Sequence, residues 1–222
     1  MDNYAVIFDM DGVIAHTNPY HTEAFKQFFD KYRVPYTEQE FEDHMYGKHN
    51  SYIMNYFFKR VIEGDEFIRL EQEKEGLFRE IYKTQVKPID GFLTFLAALK
   101  AEGFRTGVAT SAPRANLDLI MDGLGFEFQM ESILASEDVT AHKPDPEIYL
   151  KSASNLGVSP ANCVIFEDSF SGVSAAINAG ANVVGVLTSH TKEQLPPCRY
   201  YISDYHDISI DHIKQLLTPR HA

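Results

Sequence analysis

Short apolar runs that alternate with helix-like segments are the feature that most constrains the fold of this chain. Six runs indicate buried strands, at 4–8, 104–109, 132–135, 162–166, 182–187 and 199–202. They are continuously apolar, which is typical of strands covered on both faces. From residue 86 onward they alternate with helical patterns at 90–102, 145–156 and 171–179. This alternation predicts an α/β fold with a parallel sheet and right-handed crossovers.

Helix boundaries can be predicted from capping residues. Asp90 is expected to be the N-cap of the first of these helices. The second is expected to have Asp145 as its N-cap, Pro146 at the first helical position and Gly157 just past its end.

The segment between residues 16 and 85 shows no convincing strand. Helical patterns lie at 19–32, 38–44, 50–62 and 66–82, and in the last of them Glu75 and Arg79 are spaced to pair. We therefore expect residues 1–15 and 86–222 to form an α/β core domain, and residues 16–85 to form a helical cap domain. Two linkers would join them and act as a hinge.

Charge and composition exclude several classes of function. The formal net charge of -12 disfavours nucleic acid and anionic membrane surfaces as partners. No apolar stretch reaches the length of a membrane-spanning helix, and the N-terminus lacks the basic region of a signal peptide. Cys163 and Cys198 are too few and too dispersed for a disulfide framework or a metal knuckle. These features predict a cytoplasmic protein.

Four short motifs follow predicted strands. They are Asp9 and Asp11, Thr110 and Ser111, Lys143 and Pro144, and Glu167 and Asp168. The carboxyl ends of parallel strands share one edge of a sheet, so these residues should converge there. Four carboxylates cannot crowd together unpaired, and Mg²⁺ with its preference for oxygen ligands would resolve the repulsion.

The motifs suit phosphoryl transfer. Asp9 can attack phosphorus and form an aspartyl phosphate, while Asp11 suits a general acid and base. Thr110 can donate its hydroxyl to the phosphoryl oxygens, and Lys143 can balance the charge of Asp9 and of the transferring group. The predicted catalytic residues are therefore Asp9, Asp11, Thr110 and Lys143.

The ordered set DMDGV, TS, KP and ED resembles the motifs of the haloacid dehalogenase superfamily of phosphotransferases. The resemblance spans the chain and implies a Rossmann-like core with a helical cap inserted after the first strand. It implies a Mg²⁺ site made by Asp9, the main-chain carbonyl of Asp11, Glu167 and Asp168. Asp11 is missing from members that cleave carbon–halogen or phosphonate bonds, so neither activity is expected.

Within that superfamily the chain is similar to the β-phosphoglucomutase-like subfamily. The stretch DMDGVIAHTNPYH places Thr17 and His21 at matching positions, and HKPDPEIY and EDSFSGVSAAINAG are also similar. The mutases have an arginine that binds the second phosphate of the substrate. This chain has Asn50 at the corresponding position, in the segment GKHN. Lys48, His49 or Lys74 could replace the arginine. The expected substrate-binding residues are Thr17, His21, Gly47, Lys48, His49, Asn50, Lys74, Ser111, Ala112 and Arg114.

Other interpretations of these residues remain open. Asp9 and Asp11 alone could form a turn, the Thr110 and Glu167 motifs could cap helices, and the cap lysines and histidines could be solvated. A binding module without catalysis and a receiver-like domain that is phosphorylated as a signal are two further alternatives.

The sequence thus predicts a monomeric, Mg²⁺-dependent enzyme that acts through an aspartyl phosphate on a small phosphorylated metabolite. We expect hydrolysis of a sugar phosphate or similar monoester, with β-phosphoglucomutase activity as the alternative. The two outcomes differ only in whether water or a sugar hydroxyl attacks the intermediate.

Overall fold

The computed structural model describes residues 4–45 and 48–218. Its centre is a parallel sheet with the strand order β3-β2-β1-β4-β5-β6. The strands are β1 (Ala5–Phe8), β2 (Arg105–Ala109), β3 (Ser132–Leu134), β4 (Cys163–Glu167), β5 (Asn182–Val186) and β6 (Tyr200–Ile202). Each predicted strand is present within one residue of its expected ends, and the predicted α/β fold is confirmed.

Helices cover both faces of the sheet. Successive side chains of a strand point to opposite faces. Val6 and Phe8 of β1 therefore belong to one hydrophobic cluster, and Ala5 and Ile7 to the other. The helices α5 (Phe92–Ala101), α6 (Arg114–Leu124) and α9 (Ile210–Leu217) pack on the first face, and α7 (Glu147–Asn155) and α8 (Phe170–Asn178) pack on the second.

Two helix starts differ slightly from the prediction. The N-cap of α5 is Gly91 rather than Asp90, in a left-handed conformation with φ 81° that glycine adopts without strain. The N-cap of α7 is Pro146 rather than Asp145. The Asp145 carboxylate still accepts a hydrogen bond from the Glu147 N–H (2.9 Å), so it supports the first turn from one position further out.

The segment between β1 and α5 is helical, as predicted. Its helices are α1 (Asn18–Tyr32), α2 (Glu38–His44), α3 (Asn50–Phe58) and α4 (Gly64–Tyr82). The prediction that α3 continues to residue 62 is wrong, because Lys59 turns into the left-handed region (φ 55°) and ends the helix. In the described part of the chain, no helix combines the length and the apolarity needed to cross a membrane.

The inserted helices have their own apolar core and also touch the sheet domain. Phe25, Phe28, Phe29 and Phe57 are buried in a cluster of their own. Phe78 and Tyr82 of α4, with Ala24 of α1, instead join the cluster on the sheet. The division of the chain into a core domain and a cap domain stays a prediction.

The two connecting segments lie side by side. The His16 N–H donates to the Lys87 carbonyl (3.1 Å), and the Ile89 N–H donates to the Ile14 carbonyl (2.9 Å). The chain therefore leaves the sheet domain and returns to it at one place, where the hinge was predicted.

Candidate active site

A pocket lies between the carboxyl edge of the sheet and the inserted helices. The sheet edge contributes Asp9, Asp11, Thr110, Ser111, Ala112, Lys143, Glu167 and Asp168 to its walls. The facing helices contribute apolar side chains, among them Phe25 and Ile53, together with several polar ones. The structure therefore brings the four motifs together, because β1, β2 and β4 are adjacent and end at one edge. The roles assigned to these residues stay predictions.

Lys143 connects two buried carboxylates. Its Nζ lies 2.6 Å from Asp9 Oδ1 and 2.7 Å from Glu167 Oε1, and it also donates to the Ala109 carbonyl (3.2 Å). Burial alone would lower the pKa of Lys143, but the charges of Asp9 and Glu167 outweigh it and raise the pKa. Lys143 is therefore a permanent cation inside the pocket.

Glu167 is held by several donors. Its Oε1 also accepts from the Tyr149 hydroxyl (2.7 Å), and its Oε2 accepts from the Asp168 and Ser169 N–H groups (3.0 and 3.2 Å) and from the Ser169 hydroxyl (3.1 Å). These bonds fix the carboxylate, whose side chain is 1% exposed. Sequence reasoning did not find Tyr149, because nothing in its local pattern distinguishes it from a core residue of α7.

Asp168 is oriented by residues from two other parts of the chain. Its Oδ2 accepts hydrogen bonds from the Asn18 amide (3.2 Å), from Thr188 Oγ1 (3.4 Å) and from the Ser189 hydroxyl. Sequence reasoning missed all three donors. Thr188 and Ser189 follow β5, so extending the strand-end argument to that strand would have found them.

The carboxylates form a donor set that suits a divalent cation. Oxygen atoms of Asp9, Glu167 and Asp168 lie within 4.8 Å of one another. Burial first, and then the neighbouring carboxylates, raise the pKa of Asp9, although Lys143 opposes this; burial and the charge of Glu167 raise the pKa of Asp168 to about 7. Three carboxylates thus face one lysine, and a hard cation with oxygen ligands would balance the remaining charge.

Asp11 points away from this cluster. Its Oδ1 lies 3.3 Å from His21 Nε2, and His21 Nδ1 lies 2.9 Å from the Lys74 ammonium. The ammonium can only donate, so Nδ1 accepts and the Nε2–H donates to Asp11. Burial would raise the pKa of Asp11, but its interaction with His21, which includes the hydrogen bond from Nε2–H, outweighs burial and lowers the pKa. The two carboxylates of the first motif therefore face different partners.

Thr17 lies beside the same carboxylate. Its side chain is fully buried, and its hydroxyl makes no hydrogen bond of normal geometry to the described residues. It is close enough to Asp11 to lower the pKa of that carboxyl. The structure thus places Thr17 against Asp11 rather than on the wall of the pocket.

The segment after β2 carries three of the predicted substrate-binding residues, and two of them lie at the pocket. Thr110 is 1% exposed, and its Oγ1 accepts from the Ala112 N–H (3.0 Å), which leaves the hydroxyl proton free to donate to a ligand. Ser111 and Ala112 line the pocket. The structure does not bring Arg114 there, because its guanidinium donates to Asp138 (2.5 Å) and to the Ile133 carbonyl (3.2 Å).

The segment GKHN (residues 47–50) was predicted to bind substrate, and the outcome differs from residue to residue. Lys48 and Asn50 line the pocket, and Gly47 lies outside the described residues. His49 is not among the pocket walls; its ring stacks on the His142 ring, with centroids 3.8 Å apart and planes within 10°. His49 therefore connects the insertion to the loop that carries Lys143.

Acidification should weaken the stacked pair. Burial, and then the nearby His142, lower the pKa of His49 to about 4, and burial also lowers the pKa of His142. The folded state thus favours neutral rings, and its stability is complete above the ordinary pKa of 6.5 and falls as the pH drops toward 4. We expect His49 to account for a loss on the order of 2 kcal/mol in the free energy of unfolding over this range.

Denaturant titrations across this pH range test the prediction. His49→Asn keeps an acceptor for the N-cap of α3, where the His49 side chain accepts from the Ser51 N–H, and should reduce the pH dependence. The exposed His206 provides a control, and His206→Gln should leave the pH profile unchanged. An identical profile for His49→Asn and the unsubstituted protein would contradict the prediction.

Gly172 has no side chain, and this leaves room for the Glu167 carboxylate. A Cβ at this position would lie 1.7 Å from Glu167 Oε1 and 1.9 Å from its Cδ. Gly172→Ala should displace the carboxylate from its donors and destabilise the protein by about 1–3 kcal/mol. In contrast, a Cβ on Gly76 of α4 meets nothing within 4 Å. Gly76→Ala should stabilise by about 0.5–1 kcal/mol, and urea denaturation of both variants should show the opposite signs.

Comparisons with known proteins identify relatives of this chain. A family model described as haloacid dehalogenase-like hydrolase matches residues 6–186. The phosphorylated carbohydrates phosphatase of Thermotoga maritima is 33% identical over 190 residues, which cover 83% of this chain and 86% of the relative. The β-phosphoglucomutase of Bacillus subtilis is 30% identical over 191 residues, which cover 82% of each chain.

A solved structure shares the whole architecture. A haloacid dehalogenase-type hydrolase of family IA, variant 3, from Entamoeba histolytica superposes with a TM-score of 0.89 at 28% sequence identity. The match covers 98% of this chain and 99% of the other. The sheet and the inserted helices thus occur together in that protein.

Proposed function

This chain belongs to the haloacid dehalogenase-like hydrolase family, and on that premise we propose that it hydrolyses a small sugar phosphate through an aspartyl phosphate on Asp9. The observation that carries the proposal is the position of Asp9. It lies in the pocket beside a buried lysine, with Asp11 turned toward a different partner. A nucleophile and a separate proton carrier are the two groups that a phosphate ester requires.

In the first step, a carboxylate oxygen of Asp9 forms a bond to phosphorus as the ester P–O bond breaks. The leaving oxygen takes a proton from Asp11, which has to be protonated at that stage. Lys143 and the Thr110 hydroxyl stabilise the phosphoryl charge, since both line the pocket next to Asp9.

In the second step, water attacks the phosphorus of the aspartyl phosphate and releases phosphate and free Asp9. Asp11 accepts the proton of the attacking water. The lowered pKa of Asp11 suits this step, because Asp11 is then a carboxylate that accepts a hydrogen bond from the His21 N–H.

We also propose Mg²⁺ as the cofactor, and when bound it supplies charge neutralisation for the nucleophile and the phosphoryl group. Asp9 and Asp168 would hold it with the carbonyl of Asp11. Glu167 already accepts from Lys143, Tyr149 and Ser169, so its role would be to keep the other groups in place. The Asn18, Thr188 and Ser189 side chains donate to Oδ2 of Asp168 and would fix the orientation of this carboxylate as a ligand.

Relatives named as a phosphatase and as a β-phosphoglucomutase support phosphoryl transfer on sugars equally well. We propose hydrolysis because Asn50 stands where the mutases place their phosphate-binding arginine. We further propose a cytoplasmic monomer with a core domain of residues 1–15 and 86–222 and a cap domain of residues 16–85. Gel filtration with light scattering tests the monomer.

The function is tested by phosphate release from a panel of sugar phosphates and other monoesters, with Mg²⁺ and with EDTA. We expect release that requires Mg²⁺. Conversion of β-glucose 1-phosphate in the presence of glucose 1,6-bisphosphate is assayed in parallel. Rapid isomerisation with little phosphate release would replace the phosphatase by the mutase, and inactivity on all these esters would refute the proposal.

A further inference from the structure

Four polar side chains of the inserted helices form a connected group, which we call the cap cluster. It consists of Asn50 on α3 and of Glu71, Lys74 and Glu75 on α4. Asn50, Lys74 and Glu75 line the same pocket as Asp9. The sheet edge supplies the groups that would react with a phosphate, so the cap cluster faces the remaining part of a substrate.

The hydrogen bonds of Asn50 determine what it can offer a ligand. Its side-chain NH₂ donates to Glu75 Oε1 (2.7 Å) and to Glu71 Oε1 (3.0 Å). Both N–H groups are thus used, and only the amide oxygen remains. An amide oxygen accepts a hydrogen bond from a hydroxyl group, whereas it repels the oxygens of a phosphate.

Glu75 cancels the charge of the nearest lysine. Its Oε1 lies 2.8 Å from Lys74 Nζ, and the two side chains are only 4% and 1% exposed. Burial would raise the pKa of Glu75, but Lys74, His21 and hydrogen bonds outweigh it and lower the pKa to about 2. The pair is therefore a fixed ion pair with no net charge, and it does not offer a free cation to an anionic ligand.

Two arginines near the cap cluster also bond to protein groups. Arg114 pairs with Asp138 (2.5 Å), and Arg79 donates to the Asn116 side chain (2.8 Å), whose amide in turn donates to Glu75 Oε2 (2.6 Å). Lys48 is different: it lines the pocket, and in the described residues it has no carboxylate within ion-pair distance. It is half-buried, with Nζ 5.7 Å from the Tyr52 ring centre.

We propose that the cap cluster selects a monophosphorylated substrate whose remaining part is uncharged and rich in hydroxyl groups, and that it rejects a second phosphate. This inference rests on the proposed function and specifies its substrate class. Asn50 accepts from a substrate hydroxyl, and Lys74 has an N–H left to donate after its bonds to Glu75 and His21. A second phosphate dianion would meet the amide oxygen of Asn50 and the Glu75 carboxylate, which both line the pocket.

Matched pairs of substrates test the proposal. We expect kcat/KM for glucose 6-phosphate and fructose 6-phosphate to exceed that for the corresponding 1,6-bisphosphates by about tenfold or more. Asn50→Arg, which adds a cation, should shift this ratio toward the bisphosphates by about tenfold. Glu75→Gln, which frees the charge of Lys74 without a change of shape, should shift it in the same direction. Ile68→Arg adds the same charge at a position that is 50% exposed and should leave the ratio unchanged.

The results that overturn the proposal are separate from those that overturn the phosphatase. Equal kcat/KM values on the two members of each pair would refute the selection while leaving the hydrolysis intact. A bisphosphate preference that Lys48→Met abolishes would do the same and would assign the second phosphate to Lys48. If no ester is hydrolysed, calorimetric titration of the unsubstituted protein with glucose 6-phosphate and glucose 1,6-bisphosphate still decides the selection, because it measures binding alone.

Discussion

Replacing Asp9 with asparagine should lower the rate of phosphate release by at least about 10³-fold. The amide cannot form the bond to phosphorus, although it keeps the size of the carboxylate. The fold should survive, because Asp9→Asn removes one of three crowded carboxylates. Burial and repulsion by the other carboxylates raise the pKa of Asp9 in the unsubstituted protein. Phosphate release and the denaturation midpoint of the same preparation measure the two effects.

Asp122→Asn is the matched control for this substitution. Asp122 is exposed on α6, and the change removes the same charge far from the pocket walls. It should leave both measurements unchanged. An Asp9→Asn protein that is folded and retains most of its turnover would exclude Asp9 as the nucleophile, whereas ligand binding without turnover in the unsubstituted protein would favour the binding module.

Lys143→Met should destabilise the protein by about 3–5 kcal/mol as well as lower its activity. The lysine side chain is 3% exposed and lies between Asp9 and Glu167. Without it, Asp9 and Glu167 lose the ammonium that pairs with both of them, and leaving a buried charge unpaired is costly. Activity should fall by about 10²-fold or more, since in the proposed mechanism the ammonium also stabilises the transferring phosphoryl group. Urea denaturation and phosphate release measure these changes.

An exposed ion pair provides the comparison. Lys31 pairs with Glu73 at 2.7 Å, almost the same distance, but its side chain is 62% exposed. Lys31→Met should change the stability only slightly, because water screens and solvates both charges. If the two substitutions cost the same, burial would not be the source of the effect, and the electrostatic account of the site would have to be abandoned.

The sheet edge was the most predictable part of this molecule. Continuous apolar runs indicate strands buried on both faces, and parallel strands end at one edge whatever their order in the sequence. Asp9, Thr110 and Glu167 could therefore be placed together although they are far apart in the chain. The residues after β5 lie at the same edge, so the position of Ser189, which donates to Asp168, follows from the same physical rule.

The cap side of the pocket was much less predictable, because its partners are set by packing between helices. The spacing of Glu75 and Arg79 on α4 allows them to pair, yet both side chains instead bond to Asn116 of α6. Lys74 and Arg114 were both candidates for binding substrate. Lys74 is buried in an ion pair with the adjacent Glu75, although neighbours in a helix do not normally face each other, and Arg114 bonds to Asp138, which lies outside its helix.

The position of β1 in the middle of the sheet also bears on how this protein folds. Its Ala5 pairs with Arg105 and with Cys163, which lie 100 and 158 positions further along the chain. Contacts this distant form slowly, whereas the inserted helices depend on local contacts and form early. At a synthesis rate of about 5–20 residues per second, β1 would emerge roughly 5–20 s before its first partner β2 and roughly 8–30 s before β4, so it lacks one or both partners during that time. We therefore expect the apolar segment AVIF to need protection in the nascent chain, and the catalytic centre to be among the last parts to assemble.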